Sequence, residues 1–348
     1  MDMANKNDDN QTGMRRGQQG RGRRVTASDV ANVARVSRSA VSRAFTPGAY
    51  LDKDKRALIL KTARQLGYRP NALAASLHGS STNLVGVVAG SLDNLYDSEF
   101  LAKLVAELNQ ANKWPLVLAG GDSCIEDSIL SILNYPLDAL IIRGGSIPSS
   151  LIETCAKLNI PLLFSGHVVD APFTDCVCCR NGAGAALAVD HLVERGRTAF
   201  GFLGGPSSRS SSLERLEGTE ERLKHHGLEL QIRHFCDYSY ENGRKAAKEM
   251  LAQAKLDALL CANDAMALGA LSAIRATLGL KVPDDLSIIG FDDVALAAWP
   301  DFNLTTLRNP IDQTVAEILR LLELRLDSPD KPNEVVLVDP VLMRRGTD

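Results

Sequence analysis

The nine residues SRSAVSRAF (37–45) carry two arginines and three serines but no acidic side chain. In a helix, the apolar side chains of this segment fall on one face, and Arg38, Ser39 and Arg43 fall on the other. A helix that enters the major groove of DNA must present hydrogen-bond donors to bases and phosphates, and a carboxylate there would be repelled. The polar face of this segment therefore favours contact with DNA over an ordinary solvated surface.

Three short helices are predicted around this segment. Thr26 followed three residues later by Asp29 is the pattern of a capping box, which starts the first helix. Ser37 caps the second helix, at about 38–45, and a third helix is predicted at about 53–66. The positions predicted to be buried are Val30, Ala31, Val33, Ala34, Val41, Leu58, Ile59, Ala63 and Leu66. Two short helices joined by a tight turn are typical of a helix-turn-helix domain.

The charge of the 348-residue chain is unevenly distributed. Its net formal charge is −3, but residues 1–80 hold 15 Lys and Arg against 6 Asp and Glu, and the other 268 residues hold 24 against 36. We call residues 1–80 the head and residues 81–348 the body. A basic head on an acidic body indicates that nucleic acid binds at one end only.

The sequence argues against export, membrane insertion and metal binding. It shows no apolar region of a signal peptide, and no stretch approaches 18 consecutive apolar residues. The seven cysteines are odd in number and mostly scattered, which is typical of a reducing cytoplasm. CVCC (176–179) resembles a metal-binding clip, but no second pair of Cys or His stands at ligand spacing. We therefore expect a cytoplasmic protein without a metal or other cofactor.

An enzymatic function is not expected. GGDSC (120–124) superficially resembles a serine-hydrolase nucleophile, but no matching acid and histidine follow it. The GxSxG and GxxxxGK[ST] patterns are absent. The alternative function is a periplasmic-type small-molecule binding protein without a DNA role, although such a protein would have a signal peptide and no basic head.

The body alternates short apolar runs with amphipathic helices, which predicts parallel sheets covered on both faces. The strands are predicted within 84–90, 115–120, 138–144, 160–166, 198–205, 257–264 and 286–293. The helices are predicted at 98–112, 182–195, 212–226, 241–253, 264–278 and 310–326. Because there are too many strands for one compact sheet, we expect two α/β subdomains.

Polar residues follow these predicted strands, and ligands bind outside the carboxyl ends of the strands in such sheets. They are Ser91, Asn94, Arg143, Asn263, Asp264, Asp292 and Asp293. Arg209 and Arg215 stand just before or at the start of a helix in GGPSSRSSSLERLEG (204–218). Two alternative interpretations remain open. Asp264 caps its helix rather than binding a ligand, or Arg215 forms an ordinary surface salt bridge.

The head resembles the DNA-binding domain of the lactose-repressor (LacI/GalR) family of bacterial transcription regulators. The resemblance lies in VTASDVANVARVSRSAVSRAF and LGYRPNALAASL. It implies that Arg38 and Ser39, together with Arg43, read operator bases. One position departs from the family pattern, because Arg35 stands in the turn where the family usually has glycine. If the backbone there is left-handed, a residue other than glycine costs about 1 kcal/mol, which contact of the added cation with phosphate would offset.

The resemblance also implies a hinge helix at 71–77 that forms on DNA. This segment is too short to be helical alone in water. Leu77 would be wedged between base pairs in the minor groove. In full, the implied DNA-binding residues are Ser28, Ser37, Arg38, Ser39, Ser42, Arg43, Thr46, Asn71, Ala74 and Leu77.

The body resembles the effector domain of the same family, which is itself similar to periplasmic sugar-binding proteins. The matching segments are GGPSSRSSSLERLEG, CANDAMALGAL, LSIIGFDD and LTTLRNP, and the whole resemblance runs from about Val25 to Arg345. An acid that is common in sugar-binding relatives is replaced near Gly166 and His167, which argues against a simple sugar. The implied effector-binding residues are Asn94, Arg143, Arg209, Arg215, Tyr238, Asn263 and Asp292.

The predicted architecture is an all-α helix-turn-helix headpiece followed by a periplasmic-binding-protein-like α/β domain of two parallel-sheet subdomains. Its parts are a disordered basic tail (1–24), the DNA-binding domain (25–70), a hinge helix and linker (71–82), and an effector-binding and dimerisation domain (83–348). We expect a ligand-responsive transcriptional repressor that binds a palindromic operator in double-stranded DNA as a homodimer.

We expect the effector to be a small hydroxylated anion, such as a sugar acid or sugar phosphate, rather than a neutral sugar. Arg143, Arg209 and Arg215 map to one cleft, where Asp292 is the main nearby acid. Three guanidiniums facing one cavity would repel each other unless a ligand or a carboxylate neutralised them. Arginine suits carboxylate or phosphate groups, whereas Asn263 and Asp292 suit hydroxyl groups.

Overall fold

The computed structural model describes residues 23–46, 48–70, 81–119, 125–144 and 148–348. The chain forms two compact units, Met1–Ser80 and Ser81–Asp348, which are the head and the body. Most of the predicted tail, the GGDSC segment, and the hinge helix with Asn71, Ala74 and Leu77 lie outside the described residues.

The described part of the head consists of three helices. They are α1 (Ala27–Ala34), α2 (Arg38–Phe45) and α3 (Lys53–Leu66). As predicted, a capping box of Thr26 and Asp29 starts α1, and the side chain of Ser37 accepts a hydrogen bond from the backbone of Ala40 at the start of α2. The predicted helix-turn-helix arrangement is confirmed.

The core of the head follows the helical period, with two exceptions to the prediction. The buried residues are Val30, Ala31, Ala34, Ala40, Val41, Ala44, Ile59 and Ala63. The prediction that Val33 is buried is wrong, because its side chain lies about 200° around α1 from Ala31 and is 60% exposed. Leu58 is also exposed, because the buried row of α3 contains Ile59 and Ala63 instead.

The turn between α1 and α2 has the left-handed backbone that the sequence analysis considered. Arg35 adopts φ 54° and ψ 46°. This conformation costs a residue with a Cβ atom about 1–2 kcal/mol. The head therefore tolerates local strain directly before its second helix.

The described body contains two six-stranded sheets, which confirms the predicted pair of parallel-sheet subdomains. The strands are β1 (Leu84–Ala89), β2 (Trp114–Ala119), β3 (Ala139–Arg143), β4 (Leu162–Ser165), β5 (Thr174–Cys179), β6 (Phe200–Gly204), β7 (Leu230–Phe235), β8 (Ala258–Cys261), β9 (Ser287–Asp292), β10 (Thr305–Arg308), β11 (Val335–Val338) and β12 (Val341–Met343). The first sheet has the order β11-β5-β4-β3-β1-β2, and the second has the order β12-β10-β9-β8-β6-β7. Neighbouring strands are parallel, except that β12 runs antiparallel to β10.

Helices cover both sheets of the body. They are α4 (Leu95–Gln110), α5 (Ile125–Ile132), α6 (Ser149–Lys157), α7 (Asn181–Glu194), α8 (Ser210–His225), α9 (Tyr240–Gln253), α10 (Asp264–Ala273) and α11 (Ile311–Asp327). On one face of the first sheet, Leu163 packs in a core with α4 and α11, and on the other face Phe164 packs in a separate core. This double coverage explains why the strands read as continuous apolar runs. None of the described helices is both long and apolar enough to cross a membrane.

Strand β5 explains the cysteine cluster CVCC. Cys176 and Cys178 alternate along this strand with Val177, and both thiols are buried in a core of the first sheet. Burial raises the pKa of Cys178 to about 12. The cluster is therefore part of a core strand. Strands β5, β7, β10, β11 and β12 and helices α5 and α6 were not among the predicted elements.

The backbone passes three times between the two sheets in the described part of the body. It leaves the first sheet after β5, returns from β10 to β11, and enters the second sheet again at β12. Because all but one of the strands run in parallel register within their sheets, each sheet presents its carboxyl ends along one edge.

Helices α7 and α8 pack closely where two glycines face each other. A Cβ atom on Gly218 would lie 2.5 Å from the Cα atom of Gly182. Backbone atoms cannot rotate away as the end of a flexible side chain can, so this approach requires a glycine at position 218.

We expect Gly218→Ala to destabilise the body by about 1–3 kcal/mol, because the added methyl group must push two backbones apart. Urea denaturation followed by tryptophan fluorescence measures the change, since both tryptophans, Trp114 and Trp299, are in the body. The control is Glu220→Ala on the same helix, which removes a partly exposed ion pair with Arg233 and should cost no more than about 1 kcal/mol. Equal stability of Gly218→Ala and the parent protein would contradict the close packing.

Candidate DNA-binding surface and effector cleft

Every predicted DNA-binding residue that the structure describes has an exposed side chain. These residues are Ser28, Ser37, Arg38, Ser39, Ser42, Arg43 and Thr46. The opposite face of α2 is buried through Val41 and its neighbours. Since α2 contains no acidic residue, it presents hydroxyl and guanidinium donors to the solvent side.

Hydrogen bonds within α2 order this polar face. The hydroxyl groups of Ser37 and Ser39 lie 2.9 Å apart. Nε of Arg43 donates to the carbonyl oxygen of Ser39 at 3.4 Å, which holds the Arg43 side chain along the helix.

Arg56 on α3 fixes the end of α2, and sequence reasoning did not find it. Its two terminal guanidinium nitrogens donate to the carbonyl oxygens of Ala44 and Ala49, at 2.9 and 2.6 Å. These bonds satisfy acceptors at and after the C-terminus of α2. A side chain from α3 therefore holds the C-terminal end of α2 and the segment after it.

The predicted effector-binding residues lie at strand ends and helix starts of the body. They are Asn94 before α4, Arg143 at the end of β3, Arg209 before α8, Arg215 within α8, Tyr238 after β7, Asn263 before α10, and Asp292 at the end of β9. The positions of Asn94, Arg143, Asn263 and Asp292 after strands agree with the sequence prediction, whereas Arg215 lies within α8. Their role in effector binding stays a prediction.

Arg143 is held by an acid that the sequence analysis did not consider. Its Nε donates to Oδ1 of Asp97 at 3.0 Å, and its Nη1 donates to the carbonyl oxygen of Ser165 at 3.2 Å. The guanidinium also lies 4.9 Å and 5.1 Å from the ring centres of Tyr96 and Phe100. Asp292 is therefore not the main acid for all three arginines, because Asp97 neutralises Arg143.

Arg215 is buried, so it does not form an ordinary surface salt bridge. Its side chain lies 3.6 Å from Asp292 in an ion pair, and its guanidinium carbon is 3.6 Å above the ring centre of Phe291. Nε donates to Oδ1 of Asn181 at 2.9 Å, and Nη1 donates to the carbonyl oxygen of Ala262. The guanidinium is thus surrounded by protein acceptors and an aromatic face.

Asp292 has an unusual protonation equilibrium. Burial raises its pKa to about 7, although the guanidiniums of Arg215 and Arg143 act to lower it. Its backbone also adopts a positive φ of 116°. A buried carboxyl group whose pKa is near neutral can accept a hydrogen bond from a ligand hydroxyl when it is ionised, and it can donate one when it is protonated.

The charged groups of the two subdomains meet at this edge. Arg143 from the first sheet is close enough to Asp292 from the second to influence its pKa. Burial lowers the pKa of His167, and the charges of Arg143 and Arg209 lower it further, while Glu214 acts in the opposite direction. The charges of Arg143 and Arg209 thus both act on His167, and those of Arg143 and Arg215 both act on Asp292. That these residues share one effector site stays a prediction.

Two of the predicted residues also start helices. Oδ1 of Asn94 accepts hydrogen bonds from the backbone nitrogens at the start of α4. Oδ1 of Asn263 accepts from Met266 N at 3.0 Å, and its Nδ2 donates to the carbonyl oxygen of Tyr238 at 3.1 Å. Both ends of the Asn263 amide are therefore engaged within the protein.

Asp264 does not cap its helix, which resolves one of the open alternatives. The cap of α10 is Asn263. The carboxyl group of Asp264 is buried, where it binds Val294 N at 2.9 Å and the Thr306 hydroxyl at 2.5 Å. Burial raises its pKa well above the usual value. It therefore ties α10 to β10 and to the segment that follows β9.

A cavity of about 750 Å³ opens beside this cleft. Its wall includes His167, Cys179 and Asn181, and on α8 it includes Glu214 and Glu217. Because Asn181 also binds Arg215, the cavity adjoins the buried ion pair. None of the seven predicted effector-binding residues lines this cavity, so the sequence prediction did not point to it.

Comparisons with known proteins agree with both parts of the chain. A family model described as a periplasmic binding protein-like domain matches residues 189–347. The chain is 30% identical over 330 residues to a probable HTH-type transcriptional repressor, ExuR, of Bacillus subtilis (strain 168). The matched region covers 93% of this chain and 98% of that protein. It is also 30% identical over 328 residues to catabolite control protein A of Staphylococcus aureus (strain Mu50), with 90% and 96% covered.

A similar solved structure is that of the Lac repressor dimer bound to operator and the anti-inducer ONPF. It superposes with a TM-score of 0.84 at 28% identity, over 93% of this chain and 99% of that chain. The chain belongs to the LacI/GalR family of transcription regulators. These relatives are regulators of transcription rather than enzymes. The matched share is large enough that it must include part of the head, which argues against a binding protein without a DNA role.

We expect Arg215→Ala to destabilise the body by about 3–5 kcal/mol, because it leaves the carboxyl group of Asp292 buried without its partner. The matched control is Arg222→Ala on the same helix, which removes a partly exposed ion pair with Asp190 and should cost no more than about 1 kcal/mol. Urea denaturation of the two variants measures the difference. Similar small losses for both variants would show that the buried pair contributes little.

Proposed function

We propose that this regulator is a repressor that binds a palindromic operator as a homodimer and responds to a small hydroxylated anion derived from a sugar. The observation that carries the DNA-binding part is the ordered, acid-free polar face of α2. We further propose that it acts in the cytoplasm and catalyses no reaction.

A dimer fits the small size of one head. A symmetric pair places two α2 helices on the two halves of a palindrome, which doubles the contacts. Large apolar side chains are available for a subunit interface, because Trp114 on the edge strand β2 is 61% exposed and Trp299 is 54% exposed. A Lac repressor dimer on its operator is among the similar structures.

We assign base reading to Arg38, Ser39 and Arg43, because they occupy the exposed face of α2. The other exposed residues of the predicted surface, Ser28, Ser37, Ser42 and Thr46, would bind phosphates and position the helix. The hinge residues Asn71, Ala74 and Leu77 stay a prediction.

Hydroxyl recognition is proposed for Asp292, together with Asn94, Tyr238 and Asn263. A carboxyl group with a pKa of about 7 can accept a hydrogen bond from a ligand hydroxyl when it is ionised. Because the amide of Asn263 is engaged in the protein, its part is to shape the cleft unless a ligand replaces one of those bonds.

The negative charge of the effector is proposed to lie near Arg209. Arg209 precedes α8, whose first turn contains serines and no acid. Backbone N–H groups and the helix dipole at such a terminus favour an anion, which adds to the guanidinium charge.

We expect Arg38→Ala and Arg43→Ala each to cost about 1–3 kcal/mol of binding to the specific operator, because each removes a donor to a base edge. The operator is first selected from a random duplex library with the parent protein. Binding to mixed-sequence duplex DNA should change much less. Equal losses on both kinds of DNA would show that these arginines contact phosphates only.

A calorimetric screen of neutral sugars, sugar acids and sugar phosphates tests the effector class. We expect an acid or phosphate to bind at least about tenfold more tightly than its neutral sugar, as a charge-assisted hydrogen bond contributes about 1.5–3 kcal/mol. Arg209→Gln should abolish this preference. The control is Arg233→Gln, which removes an exposed arginine on β7 and should leave the preference unchanged.

A neutral sugar that binds as tightly as the acid, with no effect of Arg209→Gln, would overturn the anionic assignment. The proposed DNA-binding role does not depend on this result, because α2 lies in the head and the cleft lies in the body.

A further inference from the structure

Arg35 stands out among the described residues with a positive φ angle that are not glycine. Most of these residues are Asn or Asp, which tolerate the left-handed region. Arg35 has φ 54°, and it is an arginine in the turn that leads into α2. A strained residue that persists at a candidate binding surface calls for a functional reason.

The geometry of the turn explains why the backbone must be left-handed there. The backbone nitrogen of Arg35 donates to the carbonyl oxygens of Ala31 and Asn32, and Val36 N donates to Ala31 O at 2.9 Å. Val36 then packs against the core of the head, and Ser37 caps α2. These bonds end α1 and start α2 within three residues, but they require nothing of the Arg35 side chain.

The Arg35 side chain is exposed and contributes no hydrogen bond or ion pair to the described part of the head. By contrast, Arg56 uses both terminal nitrogens to hold α2. The strain at Arg35 is therefore not offset by contacts of its guanidinium within the head.

The charge pattern around the turn fits a polyanion. From Val30 to Leu51 the sequence contains no acidic residue, and its three cations are Arg35, Arg38 and Arg43. Arg35 is three residues before the first residue of α2, so its guanidinium extends the positive surface beyond the start of that helix.

We propose that Arg35 binds a phosphate of the DNA backbone beside the groove that α2 enters. This proposal rests on the proposed DNA-binding function. The planar guanidinium can donate two hydrogen bonds to one phosphate, which positions α2 without reading the base sequence. The left-handed turn thus lowers the stability of the head, and the phosphate contact raises DNA affinity independently of the base sequence.

The test uses the full chain with Arg35→Gly and Arg35→Lys. Glycine removes both the strain and the charge, whereas lysine keeps the charge and the strain. Binding to a short mixed-sequence DNA duplex is measured over a range of salt concentrations, and amide hydrogen exchange of α1 and α2 reports the stability of the head. Arg64→Gln is the control, because it removes an exposed arginine from α3 of the same unit.

We expect Arg35→Gly to slow amide exchange in α1 and α2 and to lower the slope of log affinity against log salt by about one unit. Arg35→Lys should keep the slope of the parent protein without slower exchange. Arg64→Gln should change neither quantity substantially.

An unchanged salt slope in Arg35→Gly, with slower exchange, would overturn the proposal and leave Arg35 as a strained surface residue. Failure of the proposed DNA-binding function is a distinct result, since the parent protein would then show no salt-dependent binding to the duplex.

Discussion

Three passages of the backbone between the two sheets determine where the body can bind a ligand. They join the carboxyl edge of the first sheet to that of the second, which is why Arg143 and Asp292 influence each other although they belong to different subdomains. The segment between β9 and β10 is also held by two carboxyl groups. Asp264 binds Val294 N, and the carboxylate of Glu99 on α4 accepts a hydrogen bond from Ala295 N at 3.0 Å. The cleft is therefore a consequence of the connectivity.

Charge balance then limits what enters the cleft. Arg143 is paired with Asp97, and Arg215 is paired with Asp292. The pKa of Asp292 is raised from 3.8 to about 7 in the folded protein. The proton that it binds therefore stabilises the fold fully below pH 3.8. This contribution is lost as the pH rises through about 7, because the ionised carboxyl group is then buried. A ligand that donates a hydroxyl hydrogen to Asp292 would offset that cost.

Local signals made the secondary structure of the head and the main strands of the body predictable. Thr26, Ser37 and the apolar runs act within a few residues, and such patterns can be read directly. Strand β5 was missed because its cysteines suggested ligands rather than a core. Asp97 was missed for another reason, since it meets Arg143 only through the tertiary fold, 46 residues away in the chain. The resemblance to a family named Arg143 and Arg215, but it did not identify Asp97 and Asn181, which bind them.

The residues of the cleft differ in how closely they are bound to the fold. Asn94 and Asn263 start helices, and Arg215 is buried against Phe291, so a substitution at these positions changes the protein as well as its ligand site. A ligand that replaced the cap of Asn263 would also act on α10, whose first residue, Asp264, holds the segment that follows β9. Side chains that serve both the fold and the cleft thus provide a physical route by which an effector can move one subdomain against the other.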